Sequence, residues 1–395
     1  MIKFFKKLVS LSLLLILSLA GCESPSQKYV QAPFSALDSF ATNDWWNRKT
    51  TKIIDMKVPR DQVVAFGIYT TSKNTLKLSA QLFPLYPEET RTVRLELFIN
   101  NQWEAVQSQE VNEIGWSALF RIEDWDMSES VKYRLLHGKN AQFEGTIRRD
   151  PITKNEINMA ALSSNSNKHR GDREEYVKNI NALDPDLVFF AGDQSYDHKE
   201  HTAAWLKFGL QFREVFRIRP CVTIPDDHDI GQGNLWGESG KKSMRKDGND
   251  GGYYFHPEYV KMVERVQTSH LPDAYHQSPL EQGIKAYFTS LKIGGVDFAI
   301  IEDRKFKSGP NGKIPKLGPR ADHINDPSYN SESINLPELV LLGELQHQFL
   351  EEWGSDKNAE MKAVLSATGF CGGAHLHGKA SNRLHADLDL SLIHI

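Results

Sequence analysis

The chain has 395 residues, of which 40% are hydrophobic, and carries a net charge of -4. This hydrophobic content excludes a disordered chain, and the acidic balance supplies no basic field, so no nucleic-acid partner is expected. Three cysteines are too few for a disulfide-stapled scaffold, and the length predicts two or three domains at roughly 100–200 residues each.

The N-terminus reads as an export signal. Lys3, Lys6 and Lys7 precede the apolar run 8–20, too short to span a bilayer comfortably, and the run leads into Leu19-Ala20-Gly21-Cys22. This stretch resembles a bacterial lipobox, which implies cleavage before Cys22 and acylation of that residue. A buried or fortuitous Cys22 is the alternative. Several acyl chains hold a protein on a membrane where a single one does not. Glu23 after the cysteine favours the outer membrane, facing the periplasm or the cell surface. Loss of the three leader lysines takes the net charge from -4 to -7. Residues 22–57 read as a polar tether. Cys221 and Cys371 then sit in an oxidising compartment, where they can pair but nothing requires it.

Residues 58–150 alternate apolar and polar with period two, the signature of half-buried strands. Strands are predicted at 75–83, 92–99, 116–122, 131–135 and 142–148, with Asn100-Asn101 and His137-Gly138 as turn residues. Short strands at this spacing predict an immunoglobulin- or fibronectin-like sandwich. Trp103, Trp116 and Trp125 are assigned to its core in preference to a sugar-binding face.

From residue 151 the pattern changes to strands alternating with helices. Strands are expected at 158–162, 187–191, 221–224, 296–301 and 361–367, and helices at 174–183, 202–218 and 338–353. Such alternation predicts an α/β core with helices outside the sheet, and ligands gather at the carboxyl ends of its strands. Acids stand at those ends: Asp193 after 187–191, Asp226, Asp227 and Asp229 after 221–224, and Asp303 after 296–301. Carboxylates brought together repel, at a cost of several kcal/mol, unless a cation neutralises them. With imidazole they suit hard or borderline metal ions. Helix capping and turn formation are the other use for such acids.

Gly192–His198 (GDQSYDH) and Pro225–Asp229 (PDDHD), with the flanks DPDLVFF, IGQGNLWG and IIEDRKFKSGP, resemble the alkaline phosphatase D (PhoD-like) family of metallophosphoesterases. The likeness runs from about residue 150 to about 389. It implies layered β-sheets flanked by helices, following a β-sandwich, and a two-metal site at the strand ends. It also implies that Asp193 bridges the metals, that Asp227 ligates one of them, and that His228 contacts the phosphate and protonates the leaving oxygen. A two-metal site clamps the attacking and leaving oxygens of an in-line displacement and lowers the pKa of bound water. The ions are either divalent or an iron with a calcium. Arg304, just past a strand end, is the candidate phosphate fork.

Two departures from the family stand out. The first strand is followed by Ser163-Ser164-Asn165-Ser166, where the family has a metal-binding motif. Asn165 can ligate through its carbonyl oxygen or form a turn. Residues 390–395 (LSLIHI) no longer resemble the family, so its domain is expected to be incomplete at the C-terminus. His375 and His377 offer His-x-His spacing for one metal, or form a surface pair. Lys241, Lys242, Arg245 and Lys246 lie in a loop, read as flexible, that either holds substrate phosphate or is simply solvated.

The expected architecture is a leader (1–21), a tether (22–57), an all-β sandwich (58–150) and a PhoD-like α/β domain (151–395). The expected activity is metal-dependent hydrolysis of a phosphoric ester, either a small molecule or a phospholipid or cell-wall diester, by an exported lipoprotein. The rival reading is a non-catalytic surface-binding lipoprotein that carries a degenerate enzyme domain.

Overall fold

A computed structural model describes residues 52–166, 173–198, 200–316, 318, 326, 330 and 336–368. Strands dominate it, and helices are few. Seven strands come first: β1 (Val64–Ser72), β2 (Thr75–Leu82), β3 (Thr92–Ile99), β4 (Gln102–Glu110), β5 (Ser117–Ile122), β6 (Val131–His137) and β7 (Ala141–Ile147). They form two antiparallel sheets, ordered β1-β2-β5 and β4-β3-β6-β7, whose apolar faces share one core. Asn100 and Asn101 turn the β3–β4 hairpin with φ of +52° and +62°, as a two-residue turn matched to strand twist requires. Trp116 and Trp125 are buried as expected. Trp103 lies instead on the exposed edge strand β4, with the Arg134 guanidinium 4.5 Å from its ring centre.

β1 is buried along its whole length, because the second half of the chain covers the face that the sandwich leaves open. Phe66 meets Trp205 and Phe216 at ring distances of 5.7 and 5.6 Å. The helix His201–Gln211 approaches so closely that a Cβ on Gly209 would lie 1.8 Å from the Phe66 ring. A single apolar core therefore runs without a break across residue 150.

The remaining elements are β8 (Met159–Leu162), α1 (Arg173–Leu183), β9 (Leu187–Phe190), α2 (His201–Gln211), α3 (Arg213–Phe216), β10 (Cys221–Thr223), α4 (Asp227–Ile230), α5 (Pro257–Thr268), β11 (Thr289–Ile293), β12 (Val296–Ile300), α6 (Gly343–Ser355) and β13 (Met361–Leu365). β8, β9 and β10 form a parallel sheet ordered β10-β9-β8. β12 pairs antiparallel with β11 and parallel with β13. Leu187 and Phe189 of β9 face a core shared with Phe298 and Ile300 of β12, whereas Val188 and Phe190 face the sandwich side. A strand buried on both faces has no need of polar alternation, which is why 187–190 reads as a continuous apolar run. α6 covers the other face of the mixed sheet, placing Phe349 against Phe288 at 5.6 Å.

Three expectations change. The helix predicted over 202–218 breaks at Phe212 (φ -104°, ψ 14°) into α2 and α3. The break brings Phe208, Phe212 and Phe216 around Phe190 at 5.1, 5.0 and 5.7 Å. The helix predicted from 338 begins only at Gly343, because Val340 is held by Ser308 through two bonds of 2.9 Å. The loop read as flexible over 231–252 is tied down: the Gly252 amide donates to the Trp236 carbonyl at 2.6 Å, and Trp236 is itself buried.

Candidate metal centre

The parallel pairing of β9 and β10 sends two loops out from the same sheet edge. The first turns sharply, with φ of +90° at Gly192 and +54° at Asp193. A Cβ on Gly192 would lie 2.4 Å from that of Asp226, so glycine is needed for the two loops to touch. The second loop enters the one-turn helix α4, which Asp226 and Asp229 close as a reciprocal capping box.

These turns bring one carboxylate oxygen each from Asp193 and Asp227 and one ring nitrogen of His228 within 4.8 Å of one another. The His228 amide donates to Asp193 Oδ1 at 3.3 Å and to Asp227 Oδ1 at 2.8 Å, while the Asn234 amide donates to Asp227 Oδ2. Burial, followed by the charges of Asp226, Asp227 and Asp229, pushes Asp193 up to about 9. Its carboxyl therefore prefers to hold a proton where no cation neutralises it. Two carboxylates are donors suited to a divalent or trivalent ion, with the imidazole close beside them, and a cation would take the place of that proton.

The other acids of the cluster have structural partners. Asp229 accepts from the amides of Gln194 (3.0 Å) and Asp226 (2.9 Å), and burial holds it up near about 7. Asp226 is gripped by Arg304 Nε at 2.6 Å, and burial outweighs that guanidinium to hold it at about 6. Arg304 thus stands beside the cluster, with its fork turned at least partly onto Asp226. Asp303 accepts from Thr368 Oγ1 and from the Ala367 amide, which ties the end of β12 to the end of β13. The Asn165 amide donates to the Asp193 carbonyl at 2.7 Å, but its side-chain oxygen accepts from Arg173 Nε and its Nδ2 donates to the Gln194 carbonyl at 3.1 Å. Lys241, Lys242 and Arg245 bond to Glu238, the Tyr254 carbonyl and Asp247 respectively. His375, His377, Cys22 and Cys371 lie outside the described residues. Cys221 is a buried thiol in β10.

Three further residues of the site lie in the motif Gly192–His198 without a role that its sequence alone announces. Gln194 donates to the Phe190 and Ile224 carbonyls at 3.4 and 3.0 Å, clasping the ends of β9 and β10. The Tyr196 phenol bonds Asp193, and its ring lies 4.3 Å from that of His228. His198 Nε2 sits 2.5 Å from His228 Nδ1. Their signal was position, since each lies within five residues of Asp193 on the loop that bears it.

The architecture has known counterparts. The solved structure of PhoD aligns with a TM-score of 0.60 at 14% identity, over 84% of this chain and 67% of that one. The chain has a PhoD-like fold. A family 64 laminaripentaose-producing β-1,3-glucanase from Paenibacillus barengoltzii aligns over 27% of the chain with a TM-score of only 0.16, and it carries no argument. No family model matches the sequence, and no curated protein matches it.

Proposed function

We propose that the chain is a metal-dependent phosphoric-ester hydrolase of the alkaline phosphatase D type. The single observation that carries this reading is the meeting of Asp193, Asp227 and His228 at the carboxyl ends of two parallel strands, within a PhoD-like fold. Asp193 and Asp227 would hold the metal ions, two in number on this reading, with iron and calcium or a divalent pair as candidates. Bound there, the ions supply charge neutralisation at the phosphoryl oxygens and ease the ionisation of water. His228 donates a proton to the leaving oxygen, with its ring packed against those of Tyr196 and His198. The Asp227 carboxylate is fixed by two amides, so it meets a ligand without reorganising. Arg304 grips Asp226 beside the cluster, and it is the residue that we assign to contact a phosphate oxygen.

The same proposal carries the finer architecture: an immunoglobulin-like sandwich at 58–150, then a layered metallophosphoesterase core from 151, borne on a lipoprotein anchored through Cys22. Its support is the leader pattern 1–22 and the two antiparallel sheets over 64–147. Small phosphate esters, phospholipids and cell-wall diesters are its candidate substrates.

Hydrolysis of p-nitrophenyl phosphate and of the bis(p-nitrophenyl) ester tests the activity. Chelation or Asp193→Ala is expected to abolish both reactions, by at least 10³-fold, while the fold is retained by circular dichroism. Turnover that survives both treatments refutes the reading.

A further inference from the structure

Beside the metal cluster lies a cavity of about 830 Å³ that the hydrolytic reading leaves without a role. Its floor is apolar, made by Leu162, Phe190 and Phe212, and its rim is hydroxylic, with Ser163, Ser164 and Ser166. Tyr176 is half exposed at the wall, and the Arg173 guanidinium stands 5.4 Å from the centre of its ring. Arg173 is positioned in turn by the Asn165 side chain and by the Ser166 carbonyl at 2.7 Å.

Tyr196 joins the cavity to the chemistry. It lines the cavity, its phenol bonds both Ser164 and Asp193, and its ring lies 4.3 Å from that of His228. A general acid must stand on the side where the leaving group departs, because the proton goes to the oxygen of the breaking P–O bond. His228 stands on the Tyr196 side, so the departing alcohol moves toward the cavity. Aromatic faces beside a planar cation favour a flat ring over a flexible alkyl chain.

We propose that this cavity is the leaving-group subsite, and that it selects phosphate esters whose alcohol carries an aromatic ring. The inference rests on the hydrolytic reading above for its chemistry, but on the cavity alone for its ring preference. The bond balance is that of hydrolysis: the water oxygen bonds to phosphorus, the P–O bond breaks, the alcohol leaves with the proton from His228, and the proton released by the water restores that on His228.

Benzyl and methyl phosphate have leaving alcohols of similar acidity, so their comparison isolates the ring. In the full chain supplied with divalent metal, kcat/KM for benzyl phosphate is expected to exceed that for methyl phosphate about tenfold. The ratio should fall toward unity in Tyr176→Ala and persist in Tyr176→Phe. Equal values for the two esters, or a ratio unmoved by Tyr176→Ala, overturn the subsite. Saturation-transfer NMR of benzyl alcohol gives a readout free of turnover, with binding expected to weaken about fivefold in Tyr176→Ala. If neither ester is hydrolysed, the bis(p-nitrophenyl) ester decides the hydrolytic reading and this binding decides the subsite: dependence on Tyr176 upholds it, and independence overturns it.

Discussion

His228 is held by its neighbours rather than by its own helix. α4 has a single turn, too short to orient a ring, and the imidazole is instead stacked against His198 at 4.8 Å and fixed through Nδ1. That contact at Nδ1 fixes which way the ring faces the two carboxylates. His198→Ala should therefore lower kcat about tenfold or more on p-nitrophenyl phosphate, while KM and metal content by elemental analysis stay put. Equal loss of metal would make His198 a ligand instead. At this scale the sequence was legible for Asp193, Asp227 and His228 as neighbours, because several apolar runs ending in acids place those ends at one sheet edge, where the structure gathers the three. It was less legible for Arg304 and Asn165. The sequence places a polar group at a strand end without showing which neighbour takes its hydrogen bonds, and here Asp226 and Arg173 take them.

The decisive element is the turn that follows β9. Gly192 has φ of +90° and touches Asp226, so an added methyl is both strained and in collision. Gly192→Ala is expected to destabilise the fold by about 1–3 kcal/mol and to spread the two acid-bearing loops apart. Urea unfolding checks the first effect, and stoichiometric metal uptake, expected to drop at least tenfold, checks the second. Other elements show what a sequence pattern carries. β11 was not foreseen, although its alternation and the following Gly294-Gly295 hairpin (φ +57° and +82°) were available as signals. β4 gave no such signal, because an exposed edge strand has no apolar face to write into its residues. The break at Phe212 was invisible for a different reason. Phe208, Phe212 and Phe216 fit a helical stripe, and only the Phe190 ring between them demands that the helix stop.

For the whole molecule, the core that runs from the sandwich into α2 and α3 predicts joint unfolding. Phe66→Ala is expected to cost about 3–5 kcal/mol and to lower the melting temperature of the entire chain in one calorimetric transition. Two separate transitions, with only the first displaced, would show two independent units. Acid adds a second whole-molecule effect. His201 and His270 are buried as neutral rings, and burial pushes both down to about 3. Their folded values lie below the unfolded one, so their share of stability is complete above about pH 6.5 and is lost as pH falls toward 3. At pH 5 the loss is roughly 2 kcal/mol for each ring. His270 bonds the Cys221 carbonyl at 3.0 Å, a partner that glutamine can also reach. His270→Gln should therefore shrink the difference in urea stability between pH 7 and pH 5 by about 2 kcal/mol relative to the parent chain.

The pairing of β9 with β10 also sets a gauge. Parallel neighbours lie about 4.8 Å apart, a spacing dictated by the backbone hydrogen bond itself. The side-chain atoms of Asp193, Asp227 and His228 that meet lie within 4.8 Å of one another, and each residue is only a few positions from the end of such a strand. Insertions farther along either loop lengthen the path without widening that gauge. A slip in strand register moves one donor by about 3.3 Å at a stroke. The spacing of the cluster is thus set by the backbone pairing of Val188, Phe189 and Phe190 with β10 and not by the length of the loops beyond it.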